Sequence, residues 1–568
     1  MMVLENPFSN KGRKRNIHIV SSLIPVIVLW LRYHKTISSW WMPDDPAILW
    51  TIIENGIFPH FYKPDVWSSF SATNLTPWLQ LSLGLDWRLF GLHPDGFYWH
   101  HMLSFSLMLL AAYRILVFRF QPVIASFVLI LFVLSTPAAD VLHFLMVRHY
   151  LEGLALALAA YYCYTLSICR KNYFWSLTGA IFYLLSVTAK EIYVPLLIVL
   201  PLFSFRICMK RWELLVPYVG IAAGYVLWRA YMLNFGNMVS GYQHIAPPGI
   251  TDFINFPHTS ANLMGWRCFW QKAAVILGCG SVFFSMNNRS FSIYAKLGIW
   301  LIVLFFPIIP VVSILNTRYL FLPVFMIFVF IGDNMMHLWN KKTHRYGYRL
   351  FVICLGMTLL ISMFQTTDSV YALNCEKTED QFHKEGEFVL HGLNDQSSLV
   401  NPLGPPWYFW GLKQLRQHVL GMSSGPGVCY DSYFCDELKC HKAYQYADHE
   451  LIQIEWPDNR DSYRWVKPSA QLSCELSYVP GRVQWHFGPY TDGIYKLVTY
   501  DKLNHILGSS MQLAPQNIIS LQLQAVLDFI LEYDSPEGWK TFSPVLELNP
   551  NVHDISKAHV QWTRNEIK

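Results

Sequence analysis

Charge is scarce in this sequence. Only 14% of its 568 residues are Asp, Glu, Lys or Arg, against 53% hydrophobic and 16% aromatic, and its mean hydropathy of +0.26 is too oily for a soluble chain. No internal repeat, no low-complexity tract and no CxxC pair occurs. Without a CxxC, zinc is the weaker reading of Cys429, Cys435, Cys440 and His441, and disulfides in an oxidising compartment are the stronger one. No small-residue cleavage site follows the first apolar stretch, where the bulky Trp40 and Trp41 stand instead, so that stretch is expected to remain as a membrane span. The net charge of +5 conceals a split: 24 acidic and 16 basic residues lie from Ser369 onward, 14 acidic and 27 basic before it. The basic excess marks topology and is no nucleic-acid footprint.

What is abundant is apolar sequence before Gln365. Segments starting near Ile17, Met102, Val123, Tyr150, Tyr173, Ile192, Leu214, Trp266, Leu297, Tyr319 and Leu350 predict an α-helical polytopic domain of about eleven spans. Lys11, Arg13, Lys14 and Arg15 place the N-terminus inside, because short basic loops stay cytoplasmic. Every second loop is then basic: Arg119; Arg170 and Lys171; Arg206, Lys210 and Arg211; Arg289; Lys341, Lys342, Arg345 and Arg349. The alternation predicts that the loop 34–100, the turns at Asp140 and Lys190, the stretch 235–265 and everything after Gln365 lie on the outer side.

Two domains are expected, 1–368 in the membrane and 369–568 outside it. The second loses the long apolar runs and gains turn clusters. Alternating stretches at Arg482 to His486, Gly493 to Thr499 and Ile518 to Leu523, with a turn at Tyr533 to Trp539, predict a β-rich domain. Its last hundred residues resemble a small β-sandwich of the carbohydrate-binding kind. Trp485, Tyr490 and Trp539 are candidate sugar platforms there, with an aromatic core as the plainer role.

The chemistry concentrates in the membrane half. In Trp40-Trp41-Met42-Pro43-Asp44-Asp45-Pro46 two carboxylates stand side by side just beyond the first span, where repulsion and burial would suit one of them to general-base work. A solvated turn is the plain alternative, and the same oxygens are a ligand set for Mg or Mn, which leaves the metal open. An outer loop follows with an amphipathic stretch from Trp78 to Phe90. Lys190 and Arg318, on outer turns between apolar spans, call for an anionic partner such as a lipid phosphate, or for Glu191 or headgroups instead. His100, His101, His143 and His149 read as packing or interfacial residues, with His101 the best placed to touch substrate. Arg148 and Glu152, spaced i and i+4, read as an intrahelical pair.

Four phrases, in register with this topology, give the chain a family likeness. They are the acidic pair followed by Phe90-Gly91-Leu92-His93-Pro94-Asp95-Gly96-Phe97-Tyr98; Thr136-Pro137-Ala138-Ala139-Asp140; Ala189-Lys190-Glu191; and Arg318-Tyr319-Leu320-Phe321-Leu322-Pro323. Over roughly residues 17–364 the chain resembles the C-fold (GT-C) membrane glycosyltransferases, which include protein O-mannosyltransferases and lipid A aminoarabinose transferases. The resemblance implies a sugar donor on a polyprenyl phosphate or pyrophosphate, used on the outer face with inversion, and a protein, lipid or glycan acceptor. It gives Asp44 the part of base, with Asp45 and Asp140 assisting, and places Lys190, Glu191, Arg318, Tyr319 and His101 around substrate. It implies no metal. Thr136 replaces the usual His of the mannosyltransferases, the Asn74 to Pro77 phrase lacks their Arg, and the tail is no repeat array, so sugar and acceptor stay open. The missing repeats favour a bacterial inner membrane with a periplasmic tail over the endoplasmic reticulum. A polytopic transporter or lipid flippase is the alternative class, and a scaffold that merely anchors the tail is a third.

Overall fold

The structure is a computed structural model describing residues 13–197 (except 72, 73 and 119), 211–240, 250–264, a few between 266 and 312, 315–340, 345–367, 373–392, 397–430, 442–454, 472–479, 482–501, 506–513, 516–519, 527–543, 546–548 and 558–561. Its described α-helices are, in chain order, α1 (Arg13–Tyr33), α2 (Asp45–Asn55), α3 (Pro64–Phe70), α4 (Pro77–Phe90), α5 (Pro94–Leu116), α6 (Pro122–Val133), α7 (Thr136–His143), α8 (Arg148–Arg170), α9 (Tyr173–Ala189), α10 (Val216–Ser240), α11 (Ile250–Leu263), α12 (Phe321–Trp339), α13 (Arg345–Thr367), α14 (Leu373–His391) and α15 (Pro406–His418). Two compact units emerge, and the chain crosses between them more than once. One holds 1–39 and 55–376; the other holds 40–54 together with 377–568. The boundary expected at residue 368 leaves 40–54, and with it the acidic pair, on the other side of that division.

In the first unit, proline begins α3, α4, α5 and α6. Its fixed φ suits the first turn, where its missing N–H would have had no intrahelical partner. Pro94 therefore starts α5 eight residues before the Met102 expected from hydropathy. Gly91, at φ +60°, ends α4, a backbone conformation that side-chain-bearing residues rarely adopt. Asn16–Ser38, Leu145–Arg170 and Thr317–Met336 are long and apolar enough to cross a membrane, and α6 with α7, bent by 61°, make a fourth if taken as one span. The bend falls where Pro137 interrupts the backbone ladder. These are the helices of an integral membrane protein. The spans expected from Ile192, Trp266 and Leu297 lie mostly outside the described residues.

Packing here rests on aromatic contact and close helix approach, because lipid is as apolar as the core. Phe132 meets Phe321 at 5.0 Å and Phe325 at 5.2 Å between ring centroids, and Phe105 stacks on it at 6.1 Å. Gly179 of α9 lies so near α10 that a Cβ there would overlap the Tyr218 hydroxyl.

The second unit contains a mixed sheet ordered β11-β10-β7-β8-β2-β1-β3-β4, with β12 beside β10, and a smaller sheet ordered β13-β5-β6-β9. Their strands are β1 (Ser397–Val400), β2 (Gly427–Cys429), β3 (Lys442–Ala447), β4 (Glu450–Ile454), β5 (Ser473–Val479), β6 (Arg482–Gly488), β7 (Ile494–Asp501), β8 (Ile506–Leu513), β9 (Gln516–Ile519), β10 (Leu527–Asp534), β11 (Lys540–Phe542), β12 (Leu546–Leu548) and β13 (Ala558–Gln561). β1 pairs in parallel with both β2 and β3, and β2 with β8. Parallel neighbours need a crossover, and α15 lies on the one between β1 and β2. The opening half of this unit is thus α/β, a mixture the expectation of a β-rich domain did not include. Phe487 of β6 stacks on Tyr495 of β7 at 5.3 Å and joins the two sheets.

Candidate functional site

Lys190 follows α9 with extended backbone (φ −157°) as its C-cap and is 4% exposed. Its Nζ donates to Asn74 Oδ1 at 3.1 Å, lies 3.5 Å from Glu191 Oε1 and sits 5.5 Å from the centre of the Tyr150 ring. Arg229 of α10 and Arg318 lie close enough to act on it. Burial lowers its pKa from the ordinary lysine value, Glu191 opposes that fall, and the two guanidiniums add to it. Burial would raise Glu191, yet Lys190 and then Arg229 hold its carboxyl below the usual range. Tyr319 accepts a hydrogen bond from Arg318 and faces Tyr150 edge-on at 6.4 Å. His149 lies tilted against Tyr150 at 4.7 Å between ring centroids, within the fields of Lys190 and Arg318. Lys190 and Arg229 therefore act on the Glu191 carboxylate, and Arg318 acts on Lys190. Asp140, 7% exposed, sits on α7, which packs against the turn Thr317–Leu320.

A second buried network ties the loop helix to the spans. Arg148, fully buried, pairs with Asp86 of α4 and donates to the Phe97 carbonyl at 2.6 Å and to Ser82 Oγ at 3.2 Å. Its Nε donates to His101 Nδ1 at 3.2 Å, while His101 Nε2 donates to the Val141 carbonyl at 2.8 Å. Both ring nitrogens of His101 are thus taken up by the protein, which makes it a strut joining α5, α7 and α8. Glu152 accepts from Trp78 Nε1 at 2.7 Å and Ser82 Oγ at 2.9 Å. The intrahelical Arg148–Glu152 pair read from spacing gives way to Arg148–Asp86, because α4 brings a carboxylate of its own beside the guanidinium.

The acidic pair belongs to the second unit. The Asp44 carbonyl accepts the Ile48 N–H at 3.0 Å, capping α2, and Asp44 Oδ1 accepts from Trp407 Nε1 at 2.6 Å. Asp45, 2% exposed, accepts the Met42 N–H at 2.8 Å. Each carboxylate thus has its own donor, at a helix N-terminus that favours negative charge. Trp40 stacks on His383 at 4.7 Å and Trp50 on His418 at 4.8 Å, while a Cβ on Gly411 would overlap the Ala47 backbone. α2 is thereby pressed against α14 and α15. Nearby, Glu385 is fully buried and accepts the Leu403 N–H on both oxygens, at 3.0 and 3.1 Å. Burial raises its pKa to about 7, against the hydrogen bonds from Gln381, Leu403 and Gly404.

Among the described residues no group of three or more His, Cys, Asp or Glu is arranged to hold a metal ion. Cys429 is buried on interior strand β2, and Cys435, Cys440 and His441 lie outside the described residues. Tyr490 stacks on Tyr533 at 4.5 Å and meets Trp539 at 5.2 Å, so these rings spend much of their surface on each other; the side chain of Trp485 lies outside the described residues. Sequence reasoning missed Asp86, Arg229, Glu385 and Trp407. Only Asp86 carried a signal, as an acid within the amphipathic stretch.

No family model and no curated protein sequence matches the chain. Among solved structures, it is similar to the crystal structure of ArnT from Cupriavidus metallidurans bound to undecaprenyl phosphate, with a TM-score of 0.45 and 11% identity over 79% of this chain and 99% of that one. It is also similar to the Archaeoglobus fulgidus oligosaccharyltransferase tethered to an acceptor peptide containing the NVT sequon, with a TM-score of 0.40 and 11% identity over 76% of this chain and 68% of that one.

Proposed function

We propose that this protein is a membrane glycosyltransferase that takes a sugar from a polyprenyl phosphate or pyrophosphate donor on the non-cytoplasmic face of the membrane. The observation that carries the reading is the buried Lys190 at the end of apolar helix α9, its Nζ 3.5 Å from Glu191 Oε1 and within the fields of Arg229 and Arg318. Positive charge gathered at the end of an apolar helix suits an anion, and a lipid phosphate is an anion delivered from the bilayer. The phrases around Asp44, Phe90, Asp140, Lys190 and Arg318 support the same reading.

In this chemistry the acceptor O–H gives its proton to the Asp44 carboxylate while its oxygen bonds to the sugar's anomeric carbon from the face opposite the phosphate. The bond from that carbon to the phosphate oxygen breaks, and its electron pair leaves with the polyprenyl phosphate. Lys190 and Arg318 stabilise the departing charge, Tyr319 orients Arg318, and Glu191 keeps Lys190 protonated.

Undecaprenyl phosphate binding to the full chain in nanodiscs, followed by native mass spectrometry, tests the donor site. Lys190→Ala and Arg318→Ala are each expected to weaken binding by roughly ten- to a hundredfold, the value of a charge-assisted hydrogen bond of about 1.5 to 3 kcal/mol. Arg318→Lys should recover only part, because Lys cannot make a bidentate contact. Unchanged affinity in both alanine variants would assign these charges to packing.

A further inference from the structure

The donor reading leaves the acceptor unassigned, and the surroundings of Asp44 in the second unit bear on it. Of the tryptophans there whose side chains are described, Trp40, Trp41 and Trp50 are packed among other groups, whereas Trp407 is 51% exposed. Trp407 is the second residue of α15, after Pro406. Its indole edge is fixed, because Nε1 donates to Asp44 Oδ1 at 2.6 Å. An interfacial tryptophan that anchors a protein to a bilayer turns its N–H toward water and headgroups. Here the N–H is spent on a carboxylate, and what the ring presents outward is apolar surface.

We infer that Trp407 is the stacking platform for a pyranose ring of the acceptor, so that the nucleophile is a hydroxyl of a glycan rather than of a peptide side chain. The inference rests on the reading of Asp44 as the base. A pyranose has an apolar face of C–H groups and a rim of hydroxyls, and it needs an aromatic surface with an acceptor at its margin. Trp407 and Asp44 supply these, tied together by a hydrogen bond. A ring lying on the indole brings its rim to the carboxylate that is to take the proton. A serine or threonine side chain would leave the indole face uncovered. Trp407 in this role both contacts the acceptor and orients the base.

The test measures two ligands separately on the full chain in nanodiscs. Saturation-transfer NMR with mannotriose, maltotriose and N-acetylchitobiose, alongside a Ser/Thr-rich peptide, reads the acceptor side, and undecaprenyl phosphate affinity reads the donor side. The expected result is that at least one oligosaccharide binds in preference to the peptide. Trp407→Ala weakens that binding about tenfold or more, as truncating a central aromatic contact does. Trp407→Phe, which keeps a ring but not the N–H, retains most of it, and both variants bind undecaprenyl phosphate normally. The assignment is overturned if Trp407→Ala binds oligosaccharide as the parent does, or if none of the three binds while undecaprenyl phosphate does. A Trp407→Ala effect confined to partition onto empty lipid vesicles would also overturn it, by making the residue a membrane anchor. Loss of undecaprenyl phosphate binding by the parent chain as well would remove the donor reading itself.

Discussion

Two residues carry predictions of their own, beginning with Asp44. A hydroxyl is a poor nucleophile at neutral pH, and general-base catalysis is worth about 10² to 10⁴ in rate. Asp44→Asn keeps a group that can accept from the Trp407 indole but removes the base, so transfer should fall by about that factor while undecaprenyl phosphate binding is unchanged. A variant retaining a tenth of the turnover would move the role to Asp45 or Asp140. Glu385 tests pH dependence. Its folded pKa of about 7 lies above the ordinary carboxyl value, so the folded protein holds the proton more tightly than the unfolded chain. Stability should therefore be highest in acid and decline as pH rises from about 4.5 to 7, by about 3 kcal/mol at most, then level off. Glu385→Gln should flatten that slope, as read from thermal unfolding across pH 4.5 to 8. The sequence pointed to Asp44, Lys190 and Arg318 because adjacent acids and isolated cations beside apolar runs are visible in one dimension. Arg229 and Trp407 were not visible, since the carboxylates they act on, Glu191 and Asp44, lie far along the chain.

Among the elements, α4 is tied to the spans most strongly by a buried ion pair. Its Asp86 meets Arg148 and, at 2.6 Å, His100 Nδ1, so Arg148→Ala leaves the carboxylate only the imidazole, and destabilisation near the lower end of about 3 to 5 kcal/mol is expected. The double change Arg148→Met with Asp86→Leu should recover most of it, because well-packed apolar groups replace a buried pair at little cost. Thermal unfolding in detergent reads both. If the single variant unfolds like the parent, the loop helix is held by other contacts. Element starts set by proline, as at Pro94, were missed by hydropathy, because the first turn of α5 is polar and the apolar run begins only at Met102. The parallel order of β1, β2, β3 and β8 was not, because alternating residues describe a strand's faces and not its neighbours.

At the scale of the whole molecule, the basic residues at every second loop imply that the loop 34–100 and the tail share the non-cytoplasmic side. Single cysteines introduced near Ser68 and Ser510, in a background lacking other reactive thiols, should both react with an impermeant maleimide added from outside. Labelling of either one only after permeabilisation would break the alternation. The division of the chain into two units has a consequence for biosynthesis. Asp44 and its indole donor are 363 residues apart, and at about 5 to 20 residues per second that distance takes a ribosome roughly 20 to 70 s to cover. During that interval the N-terminal stretch bearing the acidic pair has nowhere to fold, while the intervening helices are made. The pair is set in place only when α15 arrives, so a nascent chain stalled or truncated before Pro406 would carry Asp44 without the group that orients it.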